Sequence, residues 1–399
     1  MGYMSELESS SGERMDAKVP RTAKPGETLE VRYDLERVKR EVSPRDIEQG
    51  PANLWRYAPL LPVQDAKHVI SLNEGYTPLL QTPRLARKLG LKTLSVKDEG
   101  RNPSGTFKDR GASVAISRYA ELGVRTVALN SSGNAAGSWS LYAARAGMTS
   151  VNVVPTDAQP SSLQQCRASG QPTFLLKNWH DAGRFVAEAC ERNGWLNICT
   201  LKEPYRLEGK KTMGLEIAEQ LGWKMPDAVF YPAGGGLGAI AIWKAFDELL
   251  RLGWVKGKLP RLYVTQYEGC APIVQAFEQK RAECSAWGKI DVPPGGLKSP
   301  NPPGGRGVLE LIRKHGGGAI AVSASDAFAA VDELAREEGI FACPESATTL
   351  VGLTQAIARK WIKPLEHVVL VSTGSGLKSI PTLPEPRFPT ISSSGEIRI

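Results

Sequence analysis

The stretch Gly100-Arg-Asn-Pro-Ser-Gly-Thr-Phe-Lys-Asp-Arg-Gly111 connects an apolar run to a long helical pattern. Thr93–Val96 is predicted to be a strand and Phe107–Leu122 a helix, so the tight turn between them places Lys108 near a helix start. A cation at this end of a helix opposes the helix dipole, which lowers the pKa of its amine. A lysine with a lowered pKa is the type of nucleophile that forms Schiff bases, although a solvated lysine after a turn has the same local pattern.

Outward from this stretch, strand patterns alternate with helix patterns. The further predicted strands are Thr126–Leu129, Ser150–Val154, Thr173–Leu176, Ala228–Tyr231, Leu262–Gln266 and Val368–Ser372. The further predicted helices are Ala135–Ala146, Ser161–Ser169, Asp181–Asn193, Glu208–Leu221, Leu237–Leu250, Ser325–Glu338 and Glu345–Arg359. Strands that alternate with helices indicate the α/β class with parallel sheets, in which ligands bind at the carboxyl ends of strands. The Pro- and Gly-rich segment Val292–Gly307 is predicted to be a loop.

The composition is typical of a soluble globular protein. Of 399 residues, 41% are hydrophobic and 23% are charged, which excludes collagen, a coiled coil and a disordered chain. The length predicts two or three domains. No apolar run reaches the roughly 20 residues that a membrane helix needs, so no membrane partner is predicted. The net charge of +8 favours an anionic ligand, whereas the sequence lacks the dense basic runs and aromatic motifs of nucleic-acid binding.

The cysteines and histidines do not form a metal-binding pattern. The six cysteines are Cys166, Cys190, Cys199, Cys270, Cys284 and Cys343. None of them forms a CxxC motif, and the four histidines stand at no zinc-ligand spacing from them. We therefore expect reduced thiols, a cytoplasmic protein and no metal site.

Two further motifs follow predicted strands and open predicted helices. Asn130-Ser-Ser-Gly-Asn134 offers hydroxyls and free N–H groups to a carboxylate or phosphate, although the same residues are also common helix caps. Ala233-Gly-Gly-Gly-Leu-Gly238 is suited to hold a phosphate with its backbone amides. Gly234, Gly236 and Ala239 also fit the G-x-G-x-x-A pattern of a dinucleotide site, for which Glu268 is the nearest candidate ribose ligand, later in the chain than expected.

Two other segments carry candidate polar groups. In Ser372-Thr-Gly-Ser-Gly-Leu-Lys378, Thr373 could place its hydroxyl on a ligand ring, or the segment is only a glycine-rich turn. In Glu203-Pro-Tyr-Arg-Leu-Glu-Gly-Lys-Lys-Thr212, Arg206 or Lys210 could bind a second anion. A run of charges on a helix is also typical of a solvated face.

Taken in order, these motifs resemble the tryptophan-synthase-β-type (fold-type II) family of pyridoxal-phosphate enzymes, and within it the threonine synthases. The resemblance extends from about residue 25 to residue 378 and includes Asn73-Glu-Gly-Tyr-Thr-Pro-Leu-Leu80. It implies two open, mostly parallel αβα domains with pyridoxal 5′-phosphate in the cleft between them. It also implies a homodimer, and a small anionic amino acid as substrate. The implied reaction converts O-phospho-L-homoserine and water to L-threonine and phosphate by γ-elimination and β-addition.

The resemblance assigns a role to each candidate residue. Lys108 would carry the cofactor as a Schiff base and act as the catalytic base. The cofactor would contact Phe107, Asn134, Gly234, Gly235, Gly236, Leu237, Gly238 and Thr373. Of these, Asn134 would bond its phenolic O3′, the glycine-rich loop its phosphate and Thr373 its ring nitrogen. The carboxylate of the substrate would bind Ser131, Ser132 and Gly133, and its phosphate would bind Arg206.

The resemblance also implies a domain division, and it leaves alternatives open. The expected parts are a mobile tail at 1–26, an accessory segment at 27–70, a large cofactor-binding domain at 71–107 and 203–380, a smaller inserted domain at 108–202, and a tail at 381–399. Many threonine synthases carry an Asn-Ser pair shortly before the equivalent of Arg206, where this chain has Cys199-Thr-Leu-Lys-Glu-Pro-Tyr-Arg206. The alternatives are a threonine dehydratase-like or cysteate synthase-like enzyme, an NAD-dependent oxidoreductase, and a non-catalytic amino-acid-binding relative.

Overall fold

The computed structural model describes residues 2–24 and 26–385, and it confirms the α/β class. The strands of this part, β1 to β13, are Met4–Ser9, Arg14–Met15, Leu29–Tyr33, Leu79–Gln81, Thr93–Asp98, Thr126–Asn130, Thr149–Pro155, Thr173–Leu176, Leu196–Asn197, Ala228–Pro232, Arg261–Tyr267, Gly317–Val322 and His367–Ser372. Its α-helices, α1 to α13, are Leu35–Glu41, Pro44–Glu48, Pro83–Lys88, Lys108–Glu121, Asn134–Ala146, Pro160–Ala168, Ala182–Asn193, Tyr205–Gln220, Leu237–Leu252, Pro272–Glu278, Gly305–His315, Ala324–Glu338 and Pro344–Ala358. No helix within these ranges combines the length and the apolar composition that a bilayer span needs.

The larger sheet has the strand order β12-β11-β10-β13-β5-β4. Its first five strands run parallel, and β4 pairs antiparallel with β5 at one edge. Because parallel strands end at the same edge of a sheet, the loops that follow β5, β10 and β13 lie side by side. These loops carry the Lys108 motif, the glycine-rich motif and the Thr373 motif.

Helices cover both faces of the larger sheet, as the side chains of β10 demonstrate. Val229 belongs to the same apolar cluster as Ile242 of α9. Phe230, the next residue, belongs to a second cluster with Leu350 of α13. Successive side chains of a strand point to opposite faces, so a strand that is covered on both sides has to be apolar throughout.

The smaller sheet, β8-β7-β6-β9, is parallel throughout. Its strands come from the chain between α4 and α8, within the segment 108–202 that we expect to be inserted. Two mostly parallel sheets are therefore confirmed. The residue bounds of the two domains stay a prediction.

A buried group of charges connects β5, α4 and α8. The Arg110 guanidinium bonds the carboxylates of Glu99 and Glu216, and Lys97 donates to Glu216 at 2.6 Å. These side chains are fully buried. Burial by itself would raise the pKa of Glu216, but Arg110 and Lys97 outweigh it and lower this pKa to about 2. The charges thus hold the helix that begins at Lys108 against the larger sheet.

The N-terminal segment differs from the expected mobile tail. β1 pairs antiparallel with β2 and β3, so that Leu7 lies opposite Val31. Leu7 is fully buried in an apolar cluster with Tyr119 of α4 and Trp139 of α5. The segment has a polar composition because alternate residues of these strands face away from that cluster. Of the predicted tail at 381–399, residues 386–399 lie outside the described residues, as do positions 1 and 25 of the N-terminal segment.

Candidate active site

The turn before α4 is fixed by its own polar residues and by the loop after β13. The Asp109 carboxylate accepts hydrogen bonds from the Ser104 N–H at 2.6 Å and from the Ser138 hydroxyl at 2.5 Å. The Phe107 N–H donates to the Thr373 carbonyl at 3.0 Å. Lys108, the first residue of α4, therefore lies next to the Thr373 loop at the carboxyl edge of the larger sheet.

The amine of Lys108 lies in an electrostatic setting that disfavours its charge. Its Nζ is 4.5 Å from the centroid of the Phe107 ring. Burial, followed by the nearby Arg206 guanidinium, lowers the pKa of Lys108 to about 8, although Glu345 acts in the opposite direction. The sequence predicts a lowered pKa from the helix dipole, whereas in the structure burial and Arg206 cause it.

A small cavity of about 80 Å³ lies between Lys108 and the glycine-rich loop. All eight predicted cofactor contacts line it: Phe107, Asn134, Gly234, Gly235, Gly236, Leu237, Gly238 and Thr373. Gly236 has a φ of 82°, which glycine adopts without strain, and α9 begins at the next residue. A Cβ at Gly238 would overlap the Tyr231 hydroxyl. The loop therefore presents its backbone, at a helix N-terminus, to the cavity.

A second cavity of about 370 Å³ adjoins the first, and Lys108 and Lys210 line both. The predicted substrate ligands Ser131, Ser132 and Arg206 line it. Gly133 lines neither cavity, so the structure brings together every predicted site residue except this one.

The loop after β6 lines the larger cavity and also bonds the first turn of α5. The Ser131 hydroxyl accepts from the N–H groups of Gly133 and Ala136, both at 3.1 Å, so Ser131 satisfies a free N–H of the first turn of α5 although Gly133 is the N-cap residue. Ser132 lines the larger cavity as well. The Asn134 side chain accepts from the Ser162 hydroxyl at 3.1 Å, which leaves its amide NH₂ as a donor.

Arg206 enters the larger cavity from the first turn of α8. This helix begins at Tyr205, three residues before the predicted start, because the Glu203 carboxylate accepts from the N–H groups of Tyr205 and Arg206. The Arg206 guanidinium lies over the Trp139 ring at 5.0 Å and donates to the Thr200 hydroxyl at 3.2 Å. Its Nη2 has no hydrogen-bond partner within the described part of the chain. The side chain is thus oriented while retaining an unused donor.

Lys210 lies one turn further along α8, and its side chain is only 5% exposed. Its Nζ is 5.2 Å from the centroid of the same Phe107 ring that Lys108 contacts. Burial, then the charges of Lys108 and Arg206, lower the pKa of Lys210 well below its usual value, and Glu203 opposes them. The sequence named Arg206 or Lys210 for a second anion, and both line the larger cavity.

The predicted loop at 292–307 contributes residues that the sequence did not single out. Gly296, Lys298 and Asn301 line the larger cavity. Lys298 forms an ion pair at 2.5 Å with Asp157, which follows strand β7 of the smaller sheet. The Gly296 N–H donates to Glu345 at 2.9 Å. The density of Pro and Gly indicated only a loop, because contacts between segments so distant in sequence have no local signal.

Further residues of the larger cavity come from two other loops. Trp179 and His180 follow β8, and Thr200 and Lys202 precede α8. From the sequence, Thr200 is only part of the stretch before Arg206 that lacks the Asn-Ser pair of related sequences. Glu268, the ribose ligand of the dinucleotide alternative, is exposed and lines neither cavity.

Comparison with known proteins places this site in a family. A family model described as "Pyridoxal-phosphate dependent enzyme" matches residues 70–374. The chain is 35% identical to the threonine synthase of Methanocaldococcus jannaschii over 90% of this chain and 88% of that protein. It is also 35% identical to the threonine synthase of Methanosarcina acetivorans, over 89% and 87% of the two chains.

Solved structures show the same fold. The diaminopropionate ammonia lyase of Escherichia coli superposes with a TM-score of 0.66 at 18% identity, over 81% of this chain and 93% of that one. The processed form of threonine deaminase isoform 2 from Solanum lycopersicum gives 0.64 at 22%, over 75% and 79%. At these identities the likeness shows the fold alone.

The residues of the smaller cavity fit pyridoxal phosphate. A buried amine with a lowered pKa lies at one end, as a Schiff-base lysine requires. Glycine backbone at the start of α9 faces the same space, where a phosphate gains most from free N–H groups. The Thr373 hydroxyl, 3.3 Å from that of Ser346, lines the cavity as a neutral group that a ring nitrogen can bond.

Proposed function

Because the chain belongs to the family of pyridoxal-phosphate-dependent enzymes, we propose that it acts as a threonine synthase on O-phospho-L-homoserine. The observation that carries the proposal is the pair of buried basic side chains, Arg206 and Lys210, in the cavity that adjoins Lys108. A substrate with a phosphate of its own needs an anion site separate from that of the cofactor phosphate. The names of the relatives, with 35% identity over most of both chains, support the same substrate.

Each residue has a proposed role in this reaction. Bound at Lys108, the cofactor supplies an electron sink for negative charge beside the α-carbon of an amino acid. Arg206 binds the phosphate of the substrate, and Ser131 and Ser132 bind its carboxylate. Gly133, which lines neither cavity, supports Ser131 through its N–H. Lys108 would act as the base that moves protons at Cα and Cβ of the substrate.

The cofactor contacts have proposed roles as well. Asn134 donates to the O3′ oxygen, and Thr373 bonds the ring nitrogen. Gly234, Gly235, Gly236, Leu237 and Gly238 hold the phosphate, and the Phe107 ring packs beside Lys108. A neutral hydroxyl at the ring nitrogen, unlike a carboxylate, does not require this nitrogen to be protonated.

We also propose that the protein is a cytoplasmic homodimer with the large domain at 71–107 and 203–380 and the smaller inserted domain at 108–202. The support is the family resemblance and the cysteines, which are unpaired throughout the described residues. Light scattering of the purified protein tests the dimer, and limited proteolysis tests the domain bounds.

The test of the function begins with the absorbance of the purified protein. We expect a yellow band that borohydride bleaches, with the label on Lys108, and release of phosphate and threonine from O-phospho-L-homoserine. Lys108→Ala is expected to lower turnover by about 10³-fold or more, because it removes the base. Lys224→Ala, at an exposed lysine, is the matched control.

Other outcomes separate the alternatives. Full turnover by Lys108→Ala would overturn the proposal. A yellow protein that is inert to this substrate would indicate a dehydratase-like or β-replacement enzyme, which releases a 2-oxo acid from threonine or takes up an external nucleophile.

A further inference from the structure

Lys210 is a buried amine without a partner, and its neighbours are cations. Its side chain is 5% exposed. Within the described residues, no hydrogen bond or ion pair reaches its amine, and only burial and nearby charges shift the pKa of this amine. Lys108 and Lys210 both approach the Phe107 ring, at 4.5 and 5.2 Å from its centroid. An ammonium group buried this way is costly unless an anion is brought in.

The charged groups around Lys210 do not provide that anion. Lys108 faces it from α4, and Arg206 and Glu203 face it from the start of α8. The Glu203 carboxylate is already used by the N–H groups of Tyr205 and Arg206, by the Tyr119 hydroxyl at 3.1 Å and by the Arg206 guanidinium at 3.1 Å.

Other titratable or charged groups also line the two cavities, among them His180 in the larger one. On the loop side, Lys298 is paired with Asp157. Glu345 lines the smaller cavity and accepts from the Gly296 N–H. Lys202 lines the larger cavity as a further cation. Within the described residues, no carboxylate forms an ion pair or a hydrogen bond with the Lys210 amine.

We propose that Lys210 takes up a proton when the doubly charged phosphate of the substrate enters the larger cavity, and that it thereby selects a dianion over a carboxylate. This inference rests on the proposed function, which supplies the phosphate ester. A nearby anion favours the charged form of an amine, and two negative charges favour it more than one. Arg206 attracts monoanions and dianions alike, whereas the second negative charge of a dianion favours the protonation of Lys210.

Calorimetric titration of the cofactor-loaded enzyme with inorganic sulfate tests this directly. Sulfate is a dianion that stays fully ionised at neutral pH, so it exchanges no proton of its own. Titrations at pH 7.5 in two buffers of different ionisation enthalpy report the protons that the enzyme takes up. We expect about one proton per bound sulfate, together with an affinity that falls as the pH rises.

Two variants locate the proton. Lys210→Gln keeps hydrogen-bond donors but cannot titrate, so we expect sulfate binding to weaken about tenfold and the proton uptake to vanish. Lys202→Gln removes a half-buried cation from the same cavity and is expected to weaken binding while the uptake persists. The cofactor band, recorded in parallel, reports any protonation at Lys108.

The outcomes are distinct. Proton uptake that persists in Lys210→Gln, a cofactor band that titrates with sulfate, or the absence of sulfate binding would each overturn the inference. If Lys210→Gln does not fold, the wild-type enzyme decides: a sulfate affinity that does not change with pH would overturn the inference. Turnover of O-phospho-L-homoserine without proton uptake would leave the proposed function intact. Proton uptake without turnover would instead refute the function and leave the anion site of Lys210.

Discussion

Arg206 lines the larger cavity, and its positive charge also lowers the pKa of Lys108. Together with burial it lowers the pKa of Lys108 to about 8, so a substantial share of this amine is neutral near physiological pH. Only the neutral amine attacks the aldehyde of the cofactor. The two residues are 98 positions apart in the chain, so the sequence named both as site residues but did not predict that Arg206 lowers the pKa of Lys108.

The rate at which the apoenzyme takes up pyridoxal phosphate should reflect this pKa. For the wild type we expect the rate to rise with a midpoint near pH 8. Arg206→Gln removes the repulsion, which raises the pKa of Lys108, so the midpoint should move to higher pH and loading at pH 7.5 should slow several-fold. The rise of the Schiff-base band measures it. Arg84→Gln, at a side chain that is 63% exposed, is the control and should leave the midpoint in place.

The buried carboxylate of Glu216 gives a second prediction. Glu216→Gln leaves Arg110 and Lys97 buried without their shared anion, so we expect the free energy of unfolding to fall by about 3–5 kcal/mol. Because its pKa is lowered from 4.5 to about 2, the stabilisation by Glu216 is present above pH 4.5 and is lost as the pH falls toward 2. The variant should lose this part of the acid dependence in urea unfolding.

Glu310→Gln is the control for this prediction. It breaks an ion pair with Arg306 in which both side chains are more than half exposed, so its effect should stay within about 0.5 kcal/mol. Equal losses in the two variants would contradict the argument from burial.

At the scale of elements, periodicity located the strands and helices that have strong patterns. The strand predicted at Thr126–Leu129 spans Thr126–Asn130, and the helix predicted at Leu237–Leu250 ends at Leu252. The sequence did not predict helix α11, because its first residue is a glycine and lies within the segment 292–307 that is predicted to be a loop. Strand β12 was missed because it opens with two glycines, which are depleted in strands.

The contact between α4 and α8 depends on two glycines that the sequence did not distinguish from others. A Cβ at Gly111 would lie 3.0 Å from the Arg206 carbonyl oxygen, and one at Gly209 would overlap the Arg110 carbonyl. The two helices can thus approach closely enough for Lys108, Arg206 and Lys210 to share the cavities.

Gly209→Ala should separate these helices. The overlap with backbone cannot be relieved by a side-chain rotation, so we expect a loss of about 1–3 kcal/mol in urea unfolding. Gly183→Ala in α7 is the matched control, because a Cβ there meets no atom within 4 Å. It should change stability by less than about 1 kcal/mol, in the stabilising direction. A neutral Gly209→Ala would contradict the close approach.

At the scale of the whole molecule, the sequence predicted the fold class and two mostly parallel sheets, and all the site residues that the family resemblance implied, except Gly133, line the two cavities. It did not predict the N-terminal sheet. The pairing of Leu7 with Val31 joins two strands that no local sequence pattern connects. Nor did it predict that the loop at 292–307 lines the larger cavity. Both depend on pairings between distant segments, which local patterns do not record.

Leu7 provides the test of the N-terminal sheet. Leu7→Ala removes a fully buried side chain from a cluster with Tyr119 and Trp139, so we expect a loss of about 2–5 kcal/mol. Val19→Ala, at a side chain that is 47% exposed, should be close to neutral. Thermal unfolding of the two variants compares them, and a neutral Leu7→Ala would mean that the segment does not stabilise the fold.

The strand order of the larger sheet has a consequence for biosynthesis. Its central strand β13 comes last in the chain and lies between β10 and β5, and the contact between Ser95 and His367 joins residues 272 positions apart. Every strand of the smaller sheet leaves the ribosome long before β13 does. The smaller sheet can therefore form during translation, whereas the larger one stays incomplete, with two unpaired strand edges, until β13 has been synthesised. In that interval the nascent chain is most exposed to aggregation and most dependent on chaperones.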